Sequence, residues 1–198
     1  MKSLILTLAL VAAVTTANAA AQPDSGDKPP PPPPPRVLGP ELWHGARTGM
    51  GEEDVSKLFP NATPSKGEAL PAGSKSALQL KTELAGLPAT AQFFFSADGD
   101  LTTIIIDRAD VAAHKTNDNL AKAHKVADQL TADYGKAQSC SEQPQLASLT
   151  CTWNLGEAKA ILSYRDIAGN APALNVTYRK RSDIKPWAPR PVKHLRPR

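Results

Sequence analysis

The sequence predicts an α+β fold in which two tandem helix–three-strand units form one antiparallel sheet with both helices on one face. Three observations predict it. A short helical pattern before residue 60 is followed by three strand-like stretches, a longer helical pattern follows, and three more strand-like stretches end near residue 180. The strands place polar residues opposite apolar ones, which is typical of a sheet with one solvated face.

The first unit is predicted to span residues 45–110. Its helix has acidic residues in the first turn, where the helix dipole favours them, and it ends at Pro60. Val55, Leu58 and Phe59 are predicted to lie on one face of that helix. Asp98-Gly99 predicts a hairpin turn. The three predicted strands are 77–84, 90–95 and 101–106.

The second unit is predicted to span residues 115–180. Its helix, residues 118–134, is expected to be capped by Asn117 or Asp118 and to end at Gly135. Apolar residues recur along it with helical spacing, at Leu120, Ala123, Ala127, Leu130 and Tyr134. The three strands that follow are predicted at 149–155, 158–165 and 173–179.

The amino terminus resembles an export signal. Lys2 precedes an apolar run that ends before Ala17-Asn18-Ala19, a small-residue pattern typical of cleavage by signal peptidase. We therefore predict a signal peptide over residues 1–19, a periplasmic or secreted location, and no transmembrane segment in the mature chain. Residues 20–41 include an unbroken proline run and are predicted to be a disordered linker in which those prolines form a stiff spacer.

The two cysteines, Cys140 and Cys151, are predicted to form a disulfide. An even pair in an oxidising compartment is typical of a structural bridge. A redox role is the alternative, but the two residues lack the Cys-x-x-Cys spacing.

The carboxyl-terminal residues 181–198 are predicted to be a basic disordered tail beyond the folded domain, residues 42–180. Residues 179–198 contain eight Lys or Arg and one acid, so the rest of the chain is slightly acidic. A basic tail that contains a tryptophan could bind an anionic surface such as phospholipid, lipopolysaccharide or an acidic wall polymer, and the alternative is a tail that only confers solubility. The candidate binding residues are Lys185, Trp187, Arg190, Lys193 and Arg196. Nucleic acid is not an expected partner, because an exported protein does not normally meet it.

The stretch Gly49-Met50-Gly51-Glu52-Glu53-Asp54-Val55 resembles the helix opening of bacterial envelope proteins. These include the tandem-repeat β-lactamase inhibitor protein and the small outer-membrane-assembly lipoproteins. The second unit, with Tyr134-Gly135 before a three-strand meander, is similar in layout. The resemblance covers roughly residues 45–180, rests on order and spacing, and implies a binding or structural role. It transfers no functional residue to this chain.

The sequence contains no recognisable catalytic, phosphate-binding or metal-binding motif. The four histidines lack the spacing of zinc ligands, and no catalytic residue, metal or cofactor is expected. We therefore predict a non-catalytic envelope protein, inhibitor-like or accessory to assembly, that binds an envelope protein or an anionic surface polymer. The alternative is a small periplasmic hydrolase that uses the acidic residues Asp107 and Asp110.

Overall fold

The fold is dominated by an eight-stranded antiparallel sheet, seen in a computed structural model that describes residues 36–108, 111–112, 115–166 and 171–181. The helices are α1 (Glu52–Leu58) and α2 (Thr116–Tyr134). The strands are β1 (Glu41–Trp43), β2 (Ala46–Arg47), β3 (Thr63–Pro64), β4 (Lys75–Leu84), β5 (Leu87–Phe95), β6 (Leu101–Arg108), β7 (Ser139–Gln143), β8 (Ser148–Leu155), β9 (Ala158–Arg165) and β10 (Ala173–Lys180). The order in the large sheet is β3-β4-β5-β6-β10-β9-β8-β7, and β1 and β2 form a small second sheet.

The predicted fold of two tandem helix–three-strand units is wrong. The large sheet gains an edge strand on each side, β3 and β7, and the β1–β2 hairpin adds a second sheet that the prediction lacked. The two helices are also unequal, with 7 residues in α1 and 19 in α2. The sequence patterns could not reveal the edge strands, because β3 and β7 are exposed along their whole length and carry no apolar alternation.

The individual helices and six of the strands lie where the sequence predicts them, with small shifts at their ends. The predicted cap of α2 is wrong, because the helix is preceded by Lys115, which makes no side-chain capping hydrogen bond. Nearby, the buried amide of Asn119 accepts a hydrogen bond from the backbone N–H of Ala112 and donates one to its carbonyl oxygen, at 3.3 and 2.8 Å. These bonds attach the first turn of α2 to the segment that precedes it.

The hydrophobic core lies against one face of the large sheet. Trp43 of the hairpin stacks on Phe59 at the end of α1, with ring centroids 5.6 Å apart, and Phe59 contacts Phe93 of β5 at 5.1 Å. On the same face, Tyr134 of α2 meets Tyr178 of β10 edge to face. Both helices and the hairpin therefore pack on one face of the sheet.

The central pairing of β6 with β10 joins the two halves of the chain. In this pairing Asp107 is opposite Asn175, Ile106 is opposite Val176, and Ile104 is opposite Tyr178. Because side chains alternate between faces along a strand, Ile104 and Ile106 point into the core and are fully buried. Asp107 consequently lies on the second face, which we call the outer face.

Candidate functional site

The outer face carries one row of polar side chains that runs straight across seven strands. Cross-strand pairing places one residue of each strand from β4 to β7 in this row. In spatial order these residues, which we call the polar row, are Lys81, Thr90, Asp107, Asn175, Ser163, Thr150 and Ser141. Neighbouring strands lie about 4.8 Å apart, so the part from Asp107 to Ser141 spans about 19 Å.

The chemistry of the polar row is that of hydrogen bonding to a polar ligand. Its hydroxyl groups and the Asn175 amide can each donate and accept. The four central members are partly buried, and the three members at the ends are exposed. A protein surface with this composition suits a ligand rich in hydroxyl or amide groups.

Asp107 is the only acidic member of the polar row. Its partial burial raises the pKa of the carboxyl above its usual value, and the negative charge of Glu68 raises it further. Its cross-strand neighbours are Thr90 and Asn175, which are both uncharged. Asp110, the second acid of the predicted hydrolase site, lies outside the described residues, so the pair as such is not tested.

A concavity of about 330 Å³ lies on the outer face at the β7 edge of the sheet. We call it the edge concavity. Its lining residues are Ser141, Gln143, Leu146, Ser148, Thr150 and Arg165. Five of these residues belong to two adjacent cross-strand rows, since Ser141 pairs with Thr150 and Gln143 is joined through Ser148 to Arg165. The polar row therefore runs directly into the edge concavity.

The turn between β7 and β8 supplies the apolar wall of the edge concavity. Leu146 ends a short 3-10 turn and is 58% exposed. Ala147 follows it in a left-handed conformation, with φ of 41°, and its carbonyl oxygen accepts a hydrogen bond from Asp166 N–H at 3.1 Å. This bond ties the turn to the end of β9, next to Arg165.

The predicted disulfide between Cys140 and Cys151 is confirmed, and it joins β7 to β8. The two residues are opposite each other in the strand pairing, with Cα atoms 4.1 Å apart. Cys151 is buried in the core, whereas β7 is exposed along its length. The bond also fits an oxidising compartment, which makes it compatible with an exported protein.

The other predicted residues either lie apart from the polar row or outside the described ranges. The tail residues proposed to bind an anionic surface, Lys185, Trp187, Arg190, Lys193 and Arg196, lie outside the described residues, as do the signal peptide and most of the linker. His124 is exposed on α2, with Nε2 3.4 Å from a carboxylate oxygen of Glu142 on β7. In the described part of the chain, no three His, Cys, Asp or Glu side chains are grouped so as to hold a metal ion.

Within the described ranges, no helix is both long and apolar enough to cross a membrane.

Sequence reasoning identified the alternation of polar and apolar residues in most of these strands but missed the polar row itself. The row depends on which strands are neighbours and in which register they pair. A solvent-facing Thr or Ser in a single strand gives no signal of its own, and β7, which supplies Ser141 and Gln143, was not predicted as a strand. The edge concavity was missed for the same reason.

Comparison with known proteins leaves the family open. No family model and no curated protein matches the sequence. Among solved structures, a DUF4309 family protein (YjgB) from Bacillus subtilis is similar at 12% identity with a TM-score of 0.36, over 66% of this chain and 78% of that one. At this level the similarity supports no conclusion about fold or function. The resemblance to the β-lactamase inhibitor protein and the assembly lipoproteins is not confirmed.

Proposed function

We propose that this chain is an exported, non-catalytic envelope protein that binds an anionic surface, in an accessory or inhibitor-like role. The observation that carries the proposal is the polar row, which crosses seven strands on the face turned away from the core. A continuous polar surface of this length offers many weak contacts to an extended ligand. The basic composition of residues 179–198 supports an anionic ligand over a neutral one.

Retention on anionic vesicles tests this proposal. The mature protein should sediment with phosphatidylglycerol-containing vesicles at low salt and be released from them at high salt. It should not sediment with vesicles of pure phosphatidylcholine. A full-length variant with glutamine at Lys185, Arg190, Lys193 and Arg196 should lose most of this retention while keeping its melting temperature. Equal sedimentation with both vesicle types, or no sedimentation with either, would overturn the proposed anionic partner.

A protein partner is the other form that this binding function could take. Two pull-downs from envelope extract, one with the mature protein and one with the four-glutamine tail variant, distinguish a protein partner from an anionic surface. One protein captured stoichiometrically by both variants, in the absence of vesicle retention, would indicate a protein partner bound by the folded domain.

The second candidate function is a hydrolase that uses Asp107. Partial burial raises the pKa of this carboxyl, which is the direction of shift that a general acid requires. Acid–base hydrolysis of glycosides also needs a second carboxyl several ångströms away. Hydrolysis of an envelope polysaccharide by the wild type, abolished in Asp107→Asn, would establish this function in place of the binding role.

A further inference from the structure

We propose that the edge concavity is a binding site for a sugar-like ligand, one that carries several hydroxyl groups and one carboxylate or phosphate. The inference rests on the proposed binding function and assigns it a specific site. Its basis is the combination of groups that the two cross-strand rows bring together at the β7 edge.

The anionic group of the ligand is expected to bind Arg165. This side chain is exposed at the end of β9, and within the described ranges it makes no ion pair. A guanidinium group presents paired N–H donors that match the two oxygens of a carboxylate or phosphate. None of the residues lining the edge concavity is acidic, so an anion that approaches Arg165 meets no opposing charge within the lining.

The hydroxyl groups of the ligand are expected to bind the remaining polar side chains. Ser141, Ser148 and Thr150 provide hydroxyl groups, and Gln143 provides an amide with both donor and acceptor atoms. These four residues come from two paired strands, so their spacing is set by the sheet and not by a mobile loop. A ligand with hydroxyl groups on neighbouring carbons can satisfy several of them at once.

Leu146 provides the apolar contact that a sugar ring also needs. At 58% exposed it is one of the few large apolar side chains on the described surface, and it lines the same concavity. The C–H groups on one side of a sugar ring form an apolar patch, and covering Leu146 with that patch would remove apolar surface from water. The volume of about 330 Å³ is at the lower end of small-ligand sites, which suits one or two sugar rings.

The test uses two small probes, because a long polyanion would also bind the basic tail. Galacturonic acid represents the carboxylate source, mannose 6-phosphate represents the phosphate source, and neutral mannose is the control ligand. Binding to the oxidised mature protein is measured by calorimetry and by NMR shift changes. The probe that binds identifies the anionic group, and mannose is expected to bind much more weakly than that probe.

The variants locate the site. Arg165→Gln should weaken binding of the anionic probe about tenfold or more, through the loss of a charge-assisted contact. Lys125→Gln, at an exposed position of α2 on the other face of the sheet, removes the same charge and should change binding less than twofold. Arg165→Lys should restore part of the affinity, and Leu146→Ser should weaken binding without changing the preference for an anion.

The inference is overturned if neither anionic probe binds, if neutral mannose binds equally well, or if Arg165→Gln and Lys125→Gln weaken binding to the same extent. These outcomes are distinguishable from a failure of the proposed function. If vesicle retention persists while both probes fail, the protein binds anionic surfaces without using this site. If the probes bind at Arg165 but vesicle retention is absent, the edge concavity remains a binding site and the proposed binding to an anionic surface is wrong.

Discussion

Breaking the Cys140–Cys151 disulfide should lower the free energy of unfolding by about 3 kcal/mol. The two cysteines are 11 residues apart, and the loop-entropy relation for a cross-link of this length gives about 3 kcal/mol at room temperature. The strand that the bond secures, β7, is fully exposed and buries little apolar surface of its own. The disulfide should therefore contribute a large share of what holds β7 in place.

The perturbation is best made at Cys140. Cys151 is 1% exposed within the core, so replacing it would change packing as well as the cross-link. Cys140→Ser removes the bond and leaves the Cys151 side chain where it is. Ser139→Ala, at an exposed position on the same strand, is a matched control that should change stability by less than about 0.5 kcal/mol.

Urea unfolding followed by circular dichroism measures the effect. Cys140→Ser and the reduced wild type should unfold at the same urea concentration, below the oxidised wild type, and the variant should not respond to reductant. For a domain of this size a loss of about 3 kcal/mol corresponds to a fall in Tm of about 6–12 °C. Identical unfolding of the oxidised and reduced wild type would refute the reasoning, because the bond would then not constrain the unfolded chain.

Three further predictions concern other parts of the fold. The pKa of Asp107 is raised in the folded state, so its contribution to stability is fully present below its ordinary pKa and is lost as the pH rises through the raised value. Asp107→Asn should therefore be more stable than the wild type at pH 7 and equal to it at pH 3 in urea titrations, and equal stability at both would contradict this. Trp153 is buried, and its indole N–H lacks a hydrogen-bond partner in the structure as described. Trp153→Phe should therefore lower the free energy of unfolding by less than about 1.5 kcal/mol, and Trp153→Ala should lower it by about 3–5 kcal/mol. Similar losses for the two variants in thermal melts would contradict this prediction. Gly49 has a φ of 85°, and a Cβ there would lie 2.6 Å from the carbonyl oxygen of Val37, whereas Gly67 has a φ of 78° with open space around it. Gly67→Ala should cost about 1 kcal/mol and Gly49→Ala at least twice as much, and equal melting temperatures for the two variants would refute the role given to Val37.

Apolar periodicity was sufficient to predict the long elements of this fold. In α2 the predicted apolar positions Ala123 and Leu130 are fully buried, because a helix that packs on a sheet must repeat its apolar residues at helical spacing. The buried stripe is nevertheless centred slightly differently, since Asn119 and Val126 are also fully buried. An asparagine gave no apolar signal, although its two hydrogen bonds to Ala112 make its burial possible.

Strand order is the part of the fold that the local pattern could not determine. Asp107 and Asn175 are cross-strand neighbours, yet the sequence of neither segment indicates that the two strands pair. The repeated order of one helix and three strands suggested two similar units with equal strand counts. The edge strands broke that equivalence, and they are polar segments whose positions are fixed by backbone pairing and, for β7, by a covalent bond.

Because of the same disulfide bond, the proposed binding site should depend on an oxidising compartment. Ser141 and Gln143 reach the edge concavity only while β7 is paired with β8, and no member of β7 is buried enough to hold the strand there by packing. The core, in contrast, is built from the β1–β2 hairpin, strands β4 to β6 and β8 to β10, and both helices. We therefore expect the reduced protein, in mild conditions below its melting temperature, to keep its far-ultraviolet circular dichroism spectrum while its affinity for the anionic sugar probe falls at least as much as in Arg165→Gln. Reoxidation should restore binding, and Cys140→Ser should show the low affinity with and without reductant. Unchanged affinity after complete reduction would show that β7 stays docked without the bond, and the site would then not depend on an oxidising compartment.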